Sequence, residues 1–375
     1  MSVVSGRDTL RGFAAGSIVM VALGFSAPAG LTRVIAESRP VPSARLVSAP
    51  RLQLPGQIDS SNPLVWSLID GVRTLSVITS WGGVPRRSSG SDLEHLASGA
   101  PVSFITHPGH GVWMESIVTD DGGAWYGFYH HERPADDCAR PDRQLPRIGA
   151  ARSFDDGQTW EDLGIVLDAP AGSAQCASTN RFVLGGVGDV SAMLDADRQN
   201  LYLFFSQYSG GADRQGVAVA RLAWADRNAP QGKAMIFNDG AWLPIGVSSD
   251  DMATTWSYPP GTPLVQATRP FHDGVAAADV FWGASIHWNT YLEQYVMLLN
   301  RAKDENFSTE GIYVSFAPSL DDPRAWSAPQ KLMSGGEWYP QVVGLEGDSG
   351  TDRLAGRRAR FFLTGLSTRL IEFEK

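Results

Sequence analysis

The sequence predicts an all-β fold, and within that class a five-bladed β-propeller forming a single domain. The chain of 375 residues contains 40 Gly, 23 Pro and 12 Trp, and this mixture of turn formers and aromatics is typical of many short strands joined by tight loops. One hairpin pattern occurs five times. Helical periodicity is hard to find beyond a possible single turn at 222–226, so a helical domain is not expected.

Each of the five units opens with a polar or acidic residue, continues as an apolar strand, turns, and returns as a second strand rich in aromatics. Asp-Gly at 70–71 between two apolar runs is a strong hairpin signal. A two-sheet sandwich is the alternative, but it would not explain why each unit opens with a polar residue at the same place. The paired strands are predicted at 64–69 and 74–78, 114–118 and 125–129, 189–194 and 201–205, 284–289 and 294–299, and 338–343 and 359–363.

The N-terminus predicts export. Arg7 and Arg11 precede an apolar stretch at 12–25, and small residues with Ala27 and Ala29 follow, which is the pattern of a secretory signal peptide. An uncleaved membrane anchor is the alternative, although the stretch is short for a spanning helix. We therefore expect a signal peptide or anchor at 1–30, a Pro- and Ser-rich leader at 31–54, a propeller at 55–375, and a protein that is secreted or extracytoplasmic.

Charge and cysteine content narrow the partners. The net charge of -9 argues against nucleic acid, which requires a basic face. No membrane association is expected beyond the N-terminal anchor, and the protein is expected to be a monomer. Cys138 and Cys176 are the two cysteines; in an oxidising compartment they are expected to form a disulfide, with two free thiols as the alternative.

Residues 153–160 match the pattern Ser-x-Asp-x-Gly-x-Thr-Trp, known as the Asp-box. In this hairpin turn the Ser and Asp side chains bond to the loop backbone, and the Trp packs beneath it. A looser version lies at 315–329. The pattern indicates a propeller hairpin, so we predict structural roles for Asp155 and Trp160.

The residues at the head of each inner strand of a propeller face the axial funnel, and three of the five units carry a carboxylate there or nearby. Asp59, Glu115 and Asp189 are therefore the candidate catalytic residues. Glycoside hydrolysis needs one carboxylic acid to protonate the leaving oxygen and one carboxylate to activate water or attack. Structural alternatives exist for each: Asp59 could cap the turn before Pro63, Asp189 could close a β-bulge, and Glu115 could be a satisfied structural acid.

With these residues, the chain resembles the five-bladed β-propeller glycosidases, the clan of family 43 arabinanases and xylosidases and family 32 invertases. The resemblance rests on Asp59 in Asp-Ser-Ser-Asn-Pro, Asp189 in Val-Gly-Asp-Val-Ser, and the Asp-Pro…Trp hairpin near residue 321. It implies three axial acids, with Asp59 as base and Asp189 as the residue that tunes the pKa. The order of acids in the family favours Glu310 as the acid; the flanking Trp113-Met114 favours Glu115, which we prefer.

Further side chains are expected to bind substrate, because aromatic faces stack on sugar rings and polar groups bond sugar hydroxyls. No cofactor is expected, although His107, His110 and Glu132 together could ligate a divalent metal. The residues predicted to bind substrate are Trp66, Trp81, Trp113, His110, His131, Trp282, His287, Glu310 and Tyr339.

The sequence thus favours an exported glycoside hydrolase that cleaves poly- or oligosaccharide. A non-catalytic carbohydrate-binding propeller is the first alternative. A sialidase-like hydrolase is the second, suggested by the Asp-box; it would need three arginines around a substrate carboxylate, for which Arg147, Arg269 and Arg301 are the candidates.

Overall fold

The structure is a computed structural model that describes residues 40–375 except 107, 110, 171, 250–253, 273–276 and 348. The predicted signal peptide or anchor and the first part of the predicted leader lie outside the described residues. Within the described part of the chain, no helix is both long enough and apolar enough to span a bilayer.

The described residues form short strands and three single-turn 3₁₀ helices, which are Asp136–Cys138, Trp224–Asp226 and Pro323–Ala325. The second of these helices lies within the predicted turn at 222–226. In chain order the strands are β1 (Ser43–Gln53), β2 (Leu64–Ile69), β3 (Val72–Trp81), β4 (Val84–Gly90), β5 (Ala100–Pro101), β6 (Ser103–Phe104), β7 (Gly111–Thr119), β8 (Trp125–Ala135), β9 (Arg140–Ser153), β10 (Thr159–Leu167), β11 (Val187–Leu194), β12 (Asn200–Gln207), β13 (Gly216–Ala223), β14 (Met235–Asn238), β15 (Ala241–Pro244), β16 (Gly246–Ser249), β17 (Thr254–Ser257), β18 (Val280–Asn289), β19 (Gln294–Ala302), β20 (Thr309–Ala317), β21 (Gln330–Ser334), β22 (Pro340–Gly344), β23 (Leu354–Ala355), β24 (Arg358–Leu363) and β25 (Leu366–Glu374).

Five of the sheets are the blades of a propeller, which confirms the predicted all-β, five-bladed fold. Blade 1 is β2-β3-β4-β5 and blade 2 is β7-β8-β9-β10-β6. Blade 3 runs from β11 to β15 in order. Blade 4 is β23-β18-β19-β20-β21, and blade 5 is β22-β24-β25-β1. The inner hairpin of each blade is one of the five predicted units. Strands β16 and β17 form a separate two-stranded hairpin.

The ring is closed by a strand from the beginning of the described chain. Strand β1 pairs antiparallel with β25 and becomes the outer strand of blade 5. This strand lies in the segment that composition assigns to a leader, and the compact unit begins at Pro40. Composition misses it because an edge strand with alternating exposed residues resembles a polar loop until its partner, more than 300 positions away, is known.

Serine hydroxyls tie neighbouring blades together. Ser80 accepts a hydrogen bond from the Met114 amide at 3.1 Å, and Ser206 accepts one from the Gly283 amide at 2.9 Å. The Ala192 amide likewise donates to Ser116 at 3.0 Å. Each bond satisfies a backbone donor near a place where the inner ladder is interrupted, so the bulges of adjacent blades are held at the same level.

Residues 153–160 form the turn between β9 and β10. The Asp155 carboxylate accepts hydrogen bonds from the Ser153 hydroxyl and the Thr159 amide, both at 2.8 Å. The Trp160 ring is fully buried, and its indole N–H donates to the Gly157 carbonyl at 3.0 Å. Every polar group named here is thus used inside the turn.

Cys138 and Cys176 form a disulfide, as predicted. It links the 3₁₀ helix between β8 and β9 of blade 2 to the loop between β10 and β11, which connects blade 2 to blade 3. The disulfide therefore fixes the long loop between blades 2 and 3 to blade 2.

Gly149 is a position where we expect alanine to destabilise the fold. It pairs directly with Tyr129, and a β-carbon at residue 149 would overlap the Tyr129 ring. That ring is fully buried, and its hydroxyl is fixed on Asp162 at 2.7 Å, so it has no room to yield. We expect Gly149→Ala to lower the free energy of unfolding by about 1–3 kcal/mol in urea denaturation. Gly347→Ala is the matched control, since a β-carbon there meets open space; equal midpoints for the two variants would contradict this packing argument.

Candidate functional site

Three carboxylates from three successive blades meet near the axis. Asp59 precedes β2 in blade 1, Glu115 lies in β7 of blade 2, and Asp189 lies in β11 of blade 3. Glu115 sits at a ladder interruption between Met114 and Ser116, and Asp189 at one between Gly188 and Ser191. A bulge adds a residue to one strand and redirects its side chain. The bulges therefore turn the side chains of Glu115 and Asp189 away from the directions they would have in regular strands, toward each other.

Glu115 and Asp189 form the buried centre of the site with His130, from β8. One ligating atom of each residue lies within 4.8 Å of those of the other two. The Val190 amide donates to Glu115 Oε2 at 2.6 Å, and the Asp189 amide donates to His130 Nδ1 at 3.1 Å. Asp189 lies at a bulge with a backbone φ of 46°, and its carboxylate faces His130. A structural role of Asp189 in the bulge is therefore compatible with a role of its side chain in the site.

Asp59 lies at the edge of the cluster and is partly exposed. Its Oδ1 accepts a hydrogen bond from Trp113 Nε1 at 2.7 Å, and its Oδ2 accepts one from the Gly82 amide at 3.3 Å. These donors come from β7 and from the β3–β4 turn, and not from the residues that follow Asp59. The carboxylate therefore faces blade 2, contrary to the alternative in which it caps the turn before Pro63.

The electrostatics separate the acids. Burial and the neighbouring Asp189 charge raise the pKa of Glu115 well above its usual range, which favours a protonated side chain. Burial also raises the pKa of Asp59, but the bonds from Gly82 and Trp113 oppose that shift. For Asp189, burial raises the pKa while His130 and the Tyr208 hydroxyl oppose it. Since Glu115 and Asp189 are so close, they titrate as a pair.

His130 and Glu132 extend this network. Burial lowers the pKa of His130, but Glu132, Asp189 and Glu115 together outweigh burial and raise it to about 9. In a neutral ring Nδ1 accepts the Asp189 amide; in a charged ring it turns a proton toward Asp189 Oδ1, 3.7 Å away. His130 Nε2 lies 3.5 Å from Glu132 Oε1. The charge on the ring is thus linked to the charge on Asp189.

Two tyrosines cover the cluster. The Tyr208 hydroxyl, on the residue that follows β12, donates to Asp189 Oδ2. Tyr339 precedes β22 in blade 5 and has a positive φ of 54°. Its hydroxyl interacts electrostatically with Asp189, Glu115 and Asp59. Burial and the Asp189 charge raise the pKa of both phenols well above the usual value, so both remain hydrogen-bond donors.

The aromatic residues predicted to stack on sugar occupy different environments. Trp81 is 49% exposed and lines a surface pocket with Gln57 and Arg86, which contains none of the three acids. Trp113 contacts the His130 ring edge to face. Trp282 is only 2% exposed and packs against Phe307 and other rings. It is therefore part of the core and has no exposed ring face on which a sugar could stack.

Other predicted binding residues lie away from the acids. His131 is fully buried, with its ring against the Pro108 carbonyl and the Arg147 side chain. His287 is also fully buried, beside the Phe373 ring, and burial lowers its pKa to about 3.

Glu310 and Trp66 are likewise engaged elsewhere. Glu310 is on β20 of blade 4, bonded to Lys331 and Tyr313. Trp66 is bonded to the Gly350 carbonyl at 3.0 Å. His110 and His107 lie outside the described residues.

The sequence interpretation missed His130, considered Glu132 only as a metal ligand, and missed Tyr208. Strand alternation offered a signal for the first two, because residues 128, 130 and 132 share one face of β8 while His131 points the other way. Nothing local marks Tyr208, which reaches Asp189 only because its strand pairs beside β11.

The cluster also offers the ligands for a cation. Glu115, His130 and Asp189 are the metal-compatible group among the described residues, and they are buried. A cation there would require Glu115 to be ionised and His130 Nδ1 to give up the Asp189 amide, so proton chemistry and metal binding compete for the same atoms. Glu132, one of the ligands considered from sequence, instead lies beside His130.

Two of the three arginines named for a sialidase-like site, Arg147 and Arg301, already pair with carboxylates of this chain. Arg301 forms a two-bond pair with Asp279 at 2.6 and 3.0 Å. Arg147 lies 3.5 Å from Asp168, and Arg269 bridges to Asp279 through its backbone.

Comparison with known proteins adds the following. No protein-family model matches the chain. A sialidase from Bacteroides fragilis is 25% identical over 193 residues, which is 51% of this chain but only 30% of that protein. An endo-arabinase from Bacteroides thetaiotaomicron aligns with a TM-score of 0.47 at 12% identity, over 86% of this chain and 97% of its own. An exo-β-1,3-galactanase from Phanerochaete chrysosporium gives a TM-score of 0.47 at 12% identity, over 86% and 64%. The solved structures to which this chain is similar thus include an endo-arabinase and an exo-β-1,3-galactanase.

Proposed function

We propose that this chain is an exported glycoside hydrolase that cleaves poly- or oligosaccharide, with Glu115 as the general acid and Asp59 as the base. The observation that carries the proposal is the buried Glu115 beside Asp189, from different blades, with Glu115 held protonated by burial and by the neighbouring charge. A carboxylic acid kept neutral near pH 7 is what protonation of a leaving glycosidic oxygen needs.

Asp59 is suited to the complementary role. It is partly exposed, so a water molecule can reach it, and the Trp113 and Gly82 donors favour its ionised form. As a base it would take a proton from water as that water attacks the anomeric carbon. Because an attacking water must fit between base and sugar, this assignment implies inversion of configuration. Proton NMR of the first product anomer tests that stereochemistry.

Asp189 is assigned to substrate orientation and to the pKa of Glu115. Its charge repels a second charge on Glu115, so Asp189 keeps the proton on the acid. The Tyr208 hydroxyl and His130 stabilise that Asp189 charge in turn. The three residues together explain why two adjacent carboxylates would hold different protonation states.

Hydrolysis of a panel of plant and bacterial polysaccharides and aryl furanosides and pyranosides by the purified protein, with and without EDTA, tests the proposal. We expect release of sugar that EDTA leaves unchanged and that Asp59→Asn reduces by about 10²–10⁴-fold. Loss of activity in EDTA and recovery with a divalent cation would assign the Glu115–His130–Asp189 group to a metal instead. Binding without release, unaffected by Asp59→Asn, would favour the non-catalytic carbohydrate-binding alternative.

The rate should depend on pH as a bell. The active form needs a protonated Glu115 and an ionised Asp59. Since the pKa of Glu115 is raised, kcat/KM should persist above the ordinary range of a glutamate and fall as pH rises through that raised value. It should fall on the acid side as pH drops through the raised pKa of Asp59. Glu115→Gln should remove the alkaline limb; an alkaline limb that persists in this variant would assign it to another group.

The sialidase-like alternative is supported by the local similarity to the Bacteroides fragilis sialidase. It is supported less well than a neutral-sugar glycosidase, because Arg147 and Arg301 already face carboxylates of this chain. Export is supported by the disulfide, which persists in oxidising compartments.

A further inference from the structure

A cavity lies at the end of the inner strands opposite to the acid cluster. Its volume is about 480 Å³, within the size range of small-molecule sites. It is lined by Trp66 of β2, Thr119 at the end of β7, Leu194 at the end of β11 and Trp288 of β18. Thr119 is four residues beyond Glu115, a strand length of roughly 13 Å, so this cavity is separate from the acid cluster.

Part of its lining comes from residues 349–354, between β22 and β24. This segment turns back so that β23 pairs parallel with the end of β18, and the Asp352 carboxylate accepts the Leu64 amide at 2.8 Å. Arg353, which lies between Asp352 and the first residue of β23, lines the cavity. Its Nε atom is buried and has no hydrogen-bond partner among the described residues. A buried guanidinium N–H without an acceptor is costly, so the position favours an incoming acceptor.

Two more arginines stand at the rim. Arg198 donates to the Thr119 carbonyl at 3.0 Å, and its ion pair is with Asp121, whose side chain is 91% exposed and so well screened by solvent. Arg73 lies over the Trp66 ring at 5.6 Å. Asp195 also lines the cavity, but its two oxygens accept the amides of Gln199 and Asn200. The cavity lining thus contains three guanidinium groups and one carboxylate, Asp195, which already accepts hydrogen bonds from its own loop.

Trp66 and Trp288 give the same cavity apolar faces. The Trp66 indole is held by the Gly350 carbonyl, and the Trp288 ring packs edge to face against Tyr295. Both rings are therefore fixed in position. Planar carboxylates match the guanidinium fork, and rigid indole faces suit the carbon skeleton attached to them.

We propose that this cavity is a binding site for a small carboxylate-bearing ligand, held by Arg353 with Arg198 and Arg73 at the rim. The carboxylate can come from a uronic acid unit of a saccharide or from a free organic acid. The site does not depend on the hydrolytic function proposed above, since it shares no residue with the acid cluster.

Isothermal titration calorimetry with D-glucuronate, D-glucose and acetate tests the proposal. We expect glucuronate to bind, glucose not to bind, and Arg353→Gln to weaken glucuronate by about 10- to 100-fold, the loss of one charge-assisted contact. Glucuronate binding more tightly than acetate supports a uronic acid as the source; equal affinity supports a free carboxylate. Absence of glucuronate binding, or glucose binding equally well, overturns the proposal.

Three variants keep the result interpretable. Arg198→Gln changes an exposed rim residue and should fold normally, so it should weaken glucuronate by several-fold even if Arg353→Gln is unstable. Arg221→Gln is the matched control, because Arg221 stacks on Trp242 in blade 3 and does not line the cavity. Glu115→Gln should bind glucuronate as the unmodified protein does; loss of binding in that variant, or in Arg221→Gln, would show that the ligand sits elsewhere.

Discussion

Glu115→Gln should reduce hydrolysis of natural glycosides by about 10²–10⁴-fold, the range attributed to one positioned general acid. The substitution keeps the shape of the side chain and an oxygen for the Val190 amide, which donates to Glu115 at 2.6 Å. It removes only the transferable proton. The fold should therefore survive, as near-ultraviolet circular dichroism can verify, while steady-state kinetics report the loss.

The leaving group distinguishes an acid from a structural carboxylate. An aryl glycoside with a strongly acidic phenol needs little protonation to depart, so Glu115→Gln should retain much more activity on it than on an alkyl glycoside. Asp59→Asn should lose activity on both, since water still has to be activated. A uniform loss on all leaving groups in Glu115→Gln would contradict the acid assignment.

Glu310→Gln is the matched control for that experiment. Glu310 is the acid that the family order favours, but it lies on an outer strand and is bonded to Lys331 and Tyr313. We expect this variant to keep the activity of the unmodified protein. If Glu310→Gln loses activity and Glu115→Gln does not, the roles of the two glutamates are reversed.

Removal of the disulfide should have the largest effect on stability. Cys138 and Cys176 are separated by 38 positions, and closing a loop of that length restricts the unfolded chain by about 3–4 kcal/mol in the chain-entropy treatment. The double variant Cys138→Ala, Cys176→Ala should therefore lose about that much free energy of unfolding. Urea denaturation monitored by tryptophan fluorescence measures it.

The reduced protein provides the control for the cysteine variant. Dithiothreitol should lower the urea midpoint of the unmodified protein to that of the double variant, and should leave the double variant unchanged. A double variant as stable as the oxidised protein would mean that the loop between blades 2 and 3 is held by its other contacts, such as the Arg143 bond to the Asn180 carbonyl.

Much of the fold could be predicted because its units are local. The Asp70-Gly71 turn has both residues at positive φ, 52° and 79°, which is why that dipeptide marks a tight hairpin. The same reasoning placed the inner hairpin of each blade. It did not place β1, because pairing with β25 joins residues from opposite ends of the described chain and leaves no local pattern.

The site was predicted only in part for the same reason. Heads of strands pointed to Asp59, Glu115 and Asp189, whose side chains the structure brings to one cluster. His131 was predicted to bind substrate and His130 was not, although the two residues lie on opposite faces of β8 and His130 is the one beside the acids. Glu310 was considered because the order of acids in the resembling family places the glutamate after the second aspartate, while its position in the blade depends on the pairing of β19 with β20.

By itself, the sequence predicted the strand-turn-strand units and the cysteine pair, and it named three acids as candidates, because turn chemistry and side-chain alternation act over a few residues. The tertiary structure alone decided that Glu115 and Asp189 are buried while Asp59 is partly exposed, that His130 and Tyr208 face Asp189, and that Arg353 lines a cavity at the other end of the inner strands. Those properties depend on bulges held by bonds between blades and on burial, since the pKa of a carboxyl group is set by the groups that surround it and not by its neighbours in the chain.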